Sequence, residues 1–164
     1  MFNVTQLLIA EVATRIDSTY AAMFGTADRE YIQHAKDAAA TALGHIAKSD
    51  ALYHNVEPTV HVTIVGLEIL KAKQLQNSNV SRGDWLNTVI ALLCHDIGYV
   101  RGICRDDDGE RLASGIGKQW TRTAVRRSDA ALMPIHVDRG KRFVEENFSD
   151  LDLIDFPAIR ESIE

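Results

Sequence analysis

Apolar residues recur every three or four positions through most of this chain, the spacing of helices that bury one face. Between Asn3 and Phe24 the residues Val4, Leu7, Leu8, Val12, Ile16 and Tyr20 fall at those intervals. A second run, from Asp28 as N-cap to Lys48, sets Tyr31, Ala35, Ala38, Ala39, Ala42 and Ile46 on one narrow face, where small residues permit close helix approach. A third helix is predicted over 56–76, capped by Asn55 and carrying Pro58 in its first turn, where a missing N–H costs little. Val62, Val65, Ile69 and Ala72 continue its apolar pattern. Asn77-Ser78-Asn79 marks a turn, Ser81 and Asp84 make a start like a capping box, and a fourth helix is predicted over 83–96. Gly98 follows as the expected left-handed C-cap.

The pattern weakens from Tyr99 to Ser128. Asp106-Asp107-Asp108-Gly109 and Gly115-Ile116-Gly117 read as turns, and Trp120, Thr121, Thr123 and Val125 as a short strand-like stretch, so a loop or small hairpin over the site is expected there. The acidic triplet lacks the alternation and closing Glu of an EF-hand loop and reads as a solvated turn. Periodicity returns from about His136 to Phe148, behind Pro134, and from Asp155 to Glu164, with Pro157 in the first turn and Phe156, Ile159 and Ile163 at helical spacing. No cap closes this last pattern, so either the natural chain continues past Glu164 into further helices or the helix packs at an edge. The expected fold class is all-α, a bundle of about six helices whose one β-like element lies near residues 99–128.

Composition narrows this picture without redirecting it. A length of 164 residues fits a single domain over 1–164, and 46% hydrophobic with 25% charged residues is ordinary for a soluble globular protein. A net charge of -5 speaks against a nucleic-acid polymer as partner, because such surfaces are basic. The N-terminal stretch lacks the basic and apolar regions of a signal peptide, and no run nears the roughly 20 apolar residues of a membrane span, so no membrane is expected and the cytoplasm is the expected location. Cys94 and Cys104 lack metal-ligand spacing and read as packing thiols, while His34 and His45 stand without partners.

Candidate chemistry gathers in three stretches. The apolar run Val89 to Cys94 is followed at once by His95 and Asp96, so a buried segment delivers two metal-capable side chains to its own end. Neighbours on a helix point about 100° apart, and an ion reached by both must sit where the helix ends. Upstream stand Tyr53-His54-Asn55, Pro58-Thr59 and His61; downstream stands His136-Val137-Asp138-Arg139-Gly140. Arg101, Arg105, Arg122, Arg126 and Arg127 lie in the 99–128 excursion, where guanidinium forks suit a phosphate.

Together the three stretches resemble the HD superfamily of metal-dependent phosphohydrolases, over most of the chain. Tyr53, His54, Asn55 and Thr59 match the family's Tyr-His-Asn-x-x-His-Thr run, with Pro58 where the family has its second histidine. His95-Asp96 matches the family doublet, and His136 with Gly140 matches the His-x-x-x-Gly of a subgroup with extra metal histidines. The resemblance implies an HD-domain helical bundle, a divalent metal ion held by His95, Asp96 and His136, and His54 as general acid. His61, at i+3 from Pro58, is the nearest substitute for the missing ligand, and Asp138 stands in for the late aspartate of relatives. Asn55, Arg101 and Arg105 are the expected substrate-binding residues. The implied activity is hydrolysis of a nucleotide or other small phosphate ester; the alternative is an HD-fold nucleotide-binding or regulatory module, its turnover removed by Pro58 and the missing aspartate.

Overall fold

In a computed structural model that describes residues 3–77, 79–108, 110–121 and 127–163, the helical spacing becomes α1 (Val4–Phe24), α2 (Arg29–Ile46), α3 (Val56–Asn77), α4 (Arg82–Cys94), α5 (His136–Phe148) and α6 (Phe156–Ser162). Among the described residues the one sheet pairs Leu112–Ala113 antiparallel with Trp120–Thr121, Leu112 opposite Thr121. The fold is all-α, as the periodicity predicts. Thr123, Val125, Arg122, Arg126 and Gly109 lie outside the described residues. No described helix is long and apolar enough to cross a membrane.

Capping residues set most helix N-termini. Ser81 Oγ accepts from the Asp84 N–H at 3.0 Å while Asp84 Oδ2 accepts from the Ser81 N–H at 3.1 Å, a complete capping box. Asn55 Oδ1 accepts from the Glu57 N–H at 3.1 Å, and Asp155 Oδ1 from the Ala158 N–H at 3.1 Å. Asp28 behaves differently from the expected cap. It adopts a left-handed φ of +53° and makes no side-chain cap, and its carboxylate instead meets Arg82 Nε at 3.1 Å, joining the start of α2 to α4.

α4 is the central element, packed against α2, α3 and α6. Its Trp85, Leu86, Val89, Ile90 and Leu93 are fully buried, and the ring of Tyr20 from α1 meets Trp85 edge-on at 4.9 Å. The small-residue face of α2 is buried as expected, through Ala35, Ala38, Ala39 and Ala42. α3 turns the other way from its sequence reading. Val65 and Ile69 are 57% and 62% exposed, whereas Thr59 and Thr63 are inside with Val60 and Leu67. The threonines can be buried because each hydroxyl donates to a carbonyl one turn back, Asn55 at 3.0 Å and Thr59 at 2.8 Å, and leaves no donor unpaired. Both faces of α3 are apolar, so spacing alone does not choose between them.

The acidic triplet is not a solvated turn throughout. Asp107 is buried at its carboxylate and receives the fully buried Arg139 of α5 end-on, Nη1 to Oδ1 at 3.1 Å and Nη2 to Oδ2 at 2.9 Å. Arg139 also donates to the carbonyls of Gly98 (3.0 Å), Val100 (2.9 Å) and Ala113 (2.7 Å), so all five of its N–H donors are used. One guanidinium therefore ties α5 to the segment after α4 and to the excursion. Cys94 and Cys104 are buried free thiols, and burial pushes Cys104 up to about 12 and Cys94 higher still.

Candidate functional site

The last carbonyls of a helix lack partners within it, and α4 uses one of them to orient a side chain. His95 follows the helix in αR conformation, and its Nδ1 lies 2.7 Å from the Leu92 carbonyl oxygen. Because a carbonyl only accepts, Nδ1 carries the proton, and Nε2 is left facing Asp96 Oδ2 at 3.2 Å. Asp96 (φ -105°, ψ 2°) breaks the helix and leads into a 3₁₀ turn, Ile97–Tyr99. That break lets two sequence neighbours face each other.

His54, in the turn before α3, brings a third group: its Nδ1 is 2.8 Å from the same Asp96 Oδ2. The buried ring of Tyr99 stacks on His54 at 4.0 Å and on His136 at 4.3 Å, so a phenol stands between the two imidazoles. His136 opens α5 with Nδ1 2.6 Å from the Met133 carbonyl oxygen, which fixes its proton there and leaves Nε2 as an acceptor. Burial pushes the Asp96 carboxyl up, but hydrogen bonds from His95 and then His54 outweigh it and hold the group at about 2. For His95 burial acts downward, and the bonds to Asp96 and Leu92 outweigh it, raising the imidazole above its ordinary value. Tyr99 is raised by burial and by the nearby Asp96 charge.

Close backbone approach builds this arrangement. Gly98 is not the left-handed cap that the sequence suggests, since it lies within the 3₁₀ turn and is absent from the positive-φ glycines. Its role is space: a Cβ there would run into the carbonyl of His136. Gly140 repeats the device one turn on, where a Cβ would stand 3.3 Å from the Cys94 carbonyl oxygen. Gly98→Ala is expected to cost about 1–3 kcal/mol in urea unfolding, because a carbonyl in a helix cannot rotate aside as a side chain does. A loss below about 0.5 kcal/mol would show that α5 does not need this contact.

The structure thus brings together His54, His95 and Asp96, with His136 joined through Tyr99. Among the described residues the contacts of this cluster do not extend to His61, which is exposed on α3, or to Asp138, half-buried in the first turn of α5. Also among the described residues, no group of three or more His, Cys, Asp or Glu side chains is arranged to hold a metal ion by itself. Asn55 uses its side chain locally, accepting from Glu57 and donating to the Leu52 carbonyl at 2.9 Å. Arg101 Nε meets Asp129 Oδ1 at 2.8 Å, and Arg105 bonds to Glu146 through its backbone N–H at 2.8 Å and its guanidinium. Tyr99 and Arg139 are the members that sequence reasoning missed. Arg139 shares the buried face of α5 with Gly140, Phe143 and Val144, which is the signal that could have found it.

A family model described as Npun_R2479-like matches residues 2–164. Neither a curated protein nor a solved structure matches the chain.

Proposed function

The chain belongs to the Npun_R2479-like family, and from its site we propose that it is a metal-dependent phosphohydrolase of the HD type, acting on a small phosphate ester. One observation carries the reading: His95 Nε2 and Asp96 Oδ2 stand 3.2 Å apart at the end of α4, with His95 Nδ1 anchored on the Leu92 carbonyl. A proton on Nε2 can join the two groups, and a cation bound beside both can take that proton's place. Ligands about 2.0–2.2 Å from one ion stand roughly 3–3.6 Å apart, so the pair has the separation of two donors on a shared divalent cation. Two protein donors fall short of a closed cage. They suit a magnesium-like ion that keeps several waters and accepts phosphate oxygens from its substrate.

Such an ion polarises a phosphoryl group and lowers the pKa of a bound water. His95 and Asp96 would hold it, one neutral and one anionic. His54, anchored to Asp96 through Nδ1 at 2.8 Å, turns its Nε2 edge away from that carboxylate, as a group that protonates a leaving oxygen must. Tyr99 braces the plane of that ring from one side at 4.0 Å. Pro58, where relatives of the HD type place a ligand, favours a second reading, a binding module without turnover.

The experiment that tests both is metal titration, with turnover of an aryl phosphate, for wild type, Pro58→His and His61→Ala. Pro58 occupies the first turn of α3, so Pro58→His is expected to leave stability within about 1 kcal/mol. An added imidazole four residues after His54 is expected to tighten metal binding by about 10- to 100-fold. His61→Ala is expected to change neither quantity, since His61 lies exposed on α3. If no variant hydrolyses the ester while phosphate still binds, the module reading replaces the hydrolase.

A further inference from the structure

Beside His54 the surface opens into a cleft of about 240 Å³. Ala51, Leu52, Ala130, Met133 and the rings of Tyr53 and Tyr99 form most of its wall. Leu52, Tyr53 and Met133 are 82%, 84% and 64% exposed, three large apolar side chains grouped at one mouth, where a soluble surface ordinarily scatters them singly. Two of the polar side chains on the wall are tied to neighbours. Ser128 Oγ donates to Asp50 at 3.1 Å and accepts from the Ala130 N–H at 3.3 Å, and His54 Nδ1 is held by Asp96 at 2.8 Å.

We infer that this cleft receives an apolar organic group carried on the leaving oxygen of the substrate, so that the substrate is a phosphate ester of a hydrophobic alcohol or phenol. The inference rests on the phosphohydrolase reading for the phosphate and on the cleft for the organic part. His54 belongs to both places: it lines the cleft and touches Asp96. A group seated in the cleft is therefore the one whose oxygen lies nearest the proton donor. Size agrees with this division. A dry cavity of about 150 Å³ takes a benzene ring, and pockets for entire ligands begin near 300 Å³, so a space of about 240 Å³ suits one ring or short chain with the phosphate outside. A nucleobase is a poorer occupant, because its several donors and acceptors would leave water for a wall that is mostly apolar.

The test compares benzylphosphonate with methylphosphonate, and benzyl phosphate with methyl phosphate, on wild type and on Ala130→Trp in the presence of magnesium. Ala130 is exposed on the cleft wall, so an indole there fills the space without disturbing the core. Wild type is expected to bind benzylphosphonate at least about 10-fold more tightly than methylphosphonate and to hydrolyse benzyl phosphate with a kcat/KM higher by a similar factor. Both preferences are expected to fall within about 2-fold in Ala130→Trp, with the melting temperature kept. Hydrolysis of both esters at equal efficiency, with no phosphonate preference, would overturn the cleft inference and leave the hydrolase standing. A phosphonate preference erased by Ala130→Trp, with neither ester hydrolysed, would support the cleft and count against the hydrolase. Adenosine monophosphate binding as tightly as benzylphosphonate, and losing that affinity in Ala130→Trp, would also overturn the inference.

Discussion

Arg139→Ala is expected to lower the free energy of unfolding by about 3–5 kcal/mol in urea titrations, because it leaves the buried Asp107 carboxylate without its partner. That is a large share of the roughly 5–15 kcal/mol available to a domain. Asp107 keeps N–H donors from Ala113 at 2.9 Å and Cys104 at 3.4 Å, which places the loss in the range for a broken buried pair and not beyond it. The carbonyls of Gly98, Val100 and Ala113 lose their donors in the same substitution. Asp107→Asn is expected to cost a comparable amount from the other side. Arg139→Met combined with Asp107→Leu should recover only part of it, since the charge is gone but three carbonyls still lack partners. A loss below about 1 kcal/mol in Arg139→Ala would mean that α5 and the excursion are held by other contacts.

For the proposed phosphohydrolase, Asp96→Asn is expected to reduce turnover by more than about 100-fold with the fold intact. A single oxygen, Oδ2, faces both His95 and His54, so the amide removes the charge that would hold the ion and the acceptor that orients His54, the proposed proton donor. Although burial pushes this carboxyl up, its imidazole neighbours keep it at about 2. It is therefore ionised throughout the range in which a protein is assayed, and an acid limb in the pH–rate profile belongs to another group. Far-UV circular dichroism and a pH–rate profile of Asp96→Asn check the two halves of this expectation. Activity within about 10-fold of wild type would remove Asp96 from the site.

Much of this architecture is legible in the residues themselves. The apolar run that ends in His95 and Asp96 does deliver both side chains to a helix end, because the same turn that closes α4 offers the Leu92 carbonyl to His95. His54 stands out by its setting in Tyr53-His54-Asn55, but its contact with Asp96 spans 42 positions and is seen only in the fold. The Arg139–Asp107 pair has no such setting. Its members are 32 positions apart, one in a triplet that reads as solvent-facing and one next to Asp138, a residue singled out for a metal. The burial of Thr59 and Thr63 was hidden because a hydroxyl counts as polar in a periodicity, although within a helix it satisfies itself on the preceding turn. Gly98 marks the junction after α4 in the sequence, but a left-handed turn and a close neighbour both call for a missing Cβ, and only the fold shows that it is the neighbour. His61 fails as a neighbour of the cluster because the face of α3 that turns inward is the one carrying Thr59 and Thr63.

Central to the account is that His95 and Asp96 hold a divalent ion that substrate phosphate completes. Isothermal titration of magnesium and of manganese into wild type, His95→Ala and Asp96→Asn, each with and without inorganic phosphate, tests it most directly. Wild type is expected to bind the metal more tightly when phosphate is present, and each variant to lose both the binding and the phosphate effect. Equal metal affinity in wild type and Asp96→Asn, or wild-type binding of phosphate that no metal alters, would contradict it.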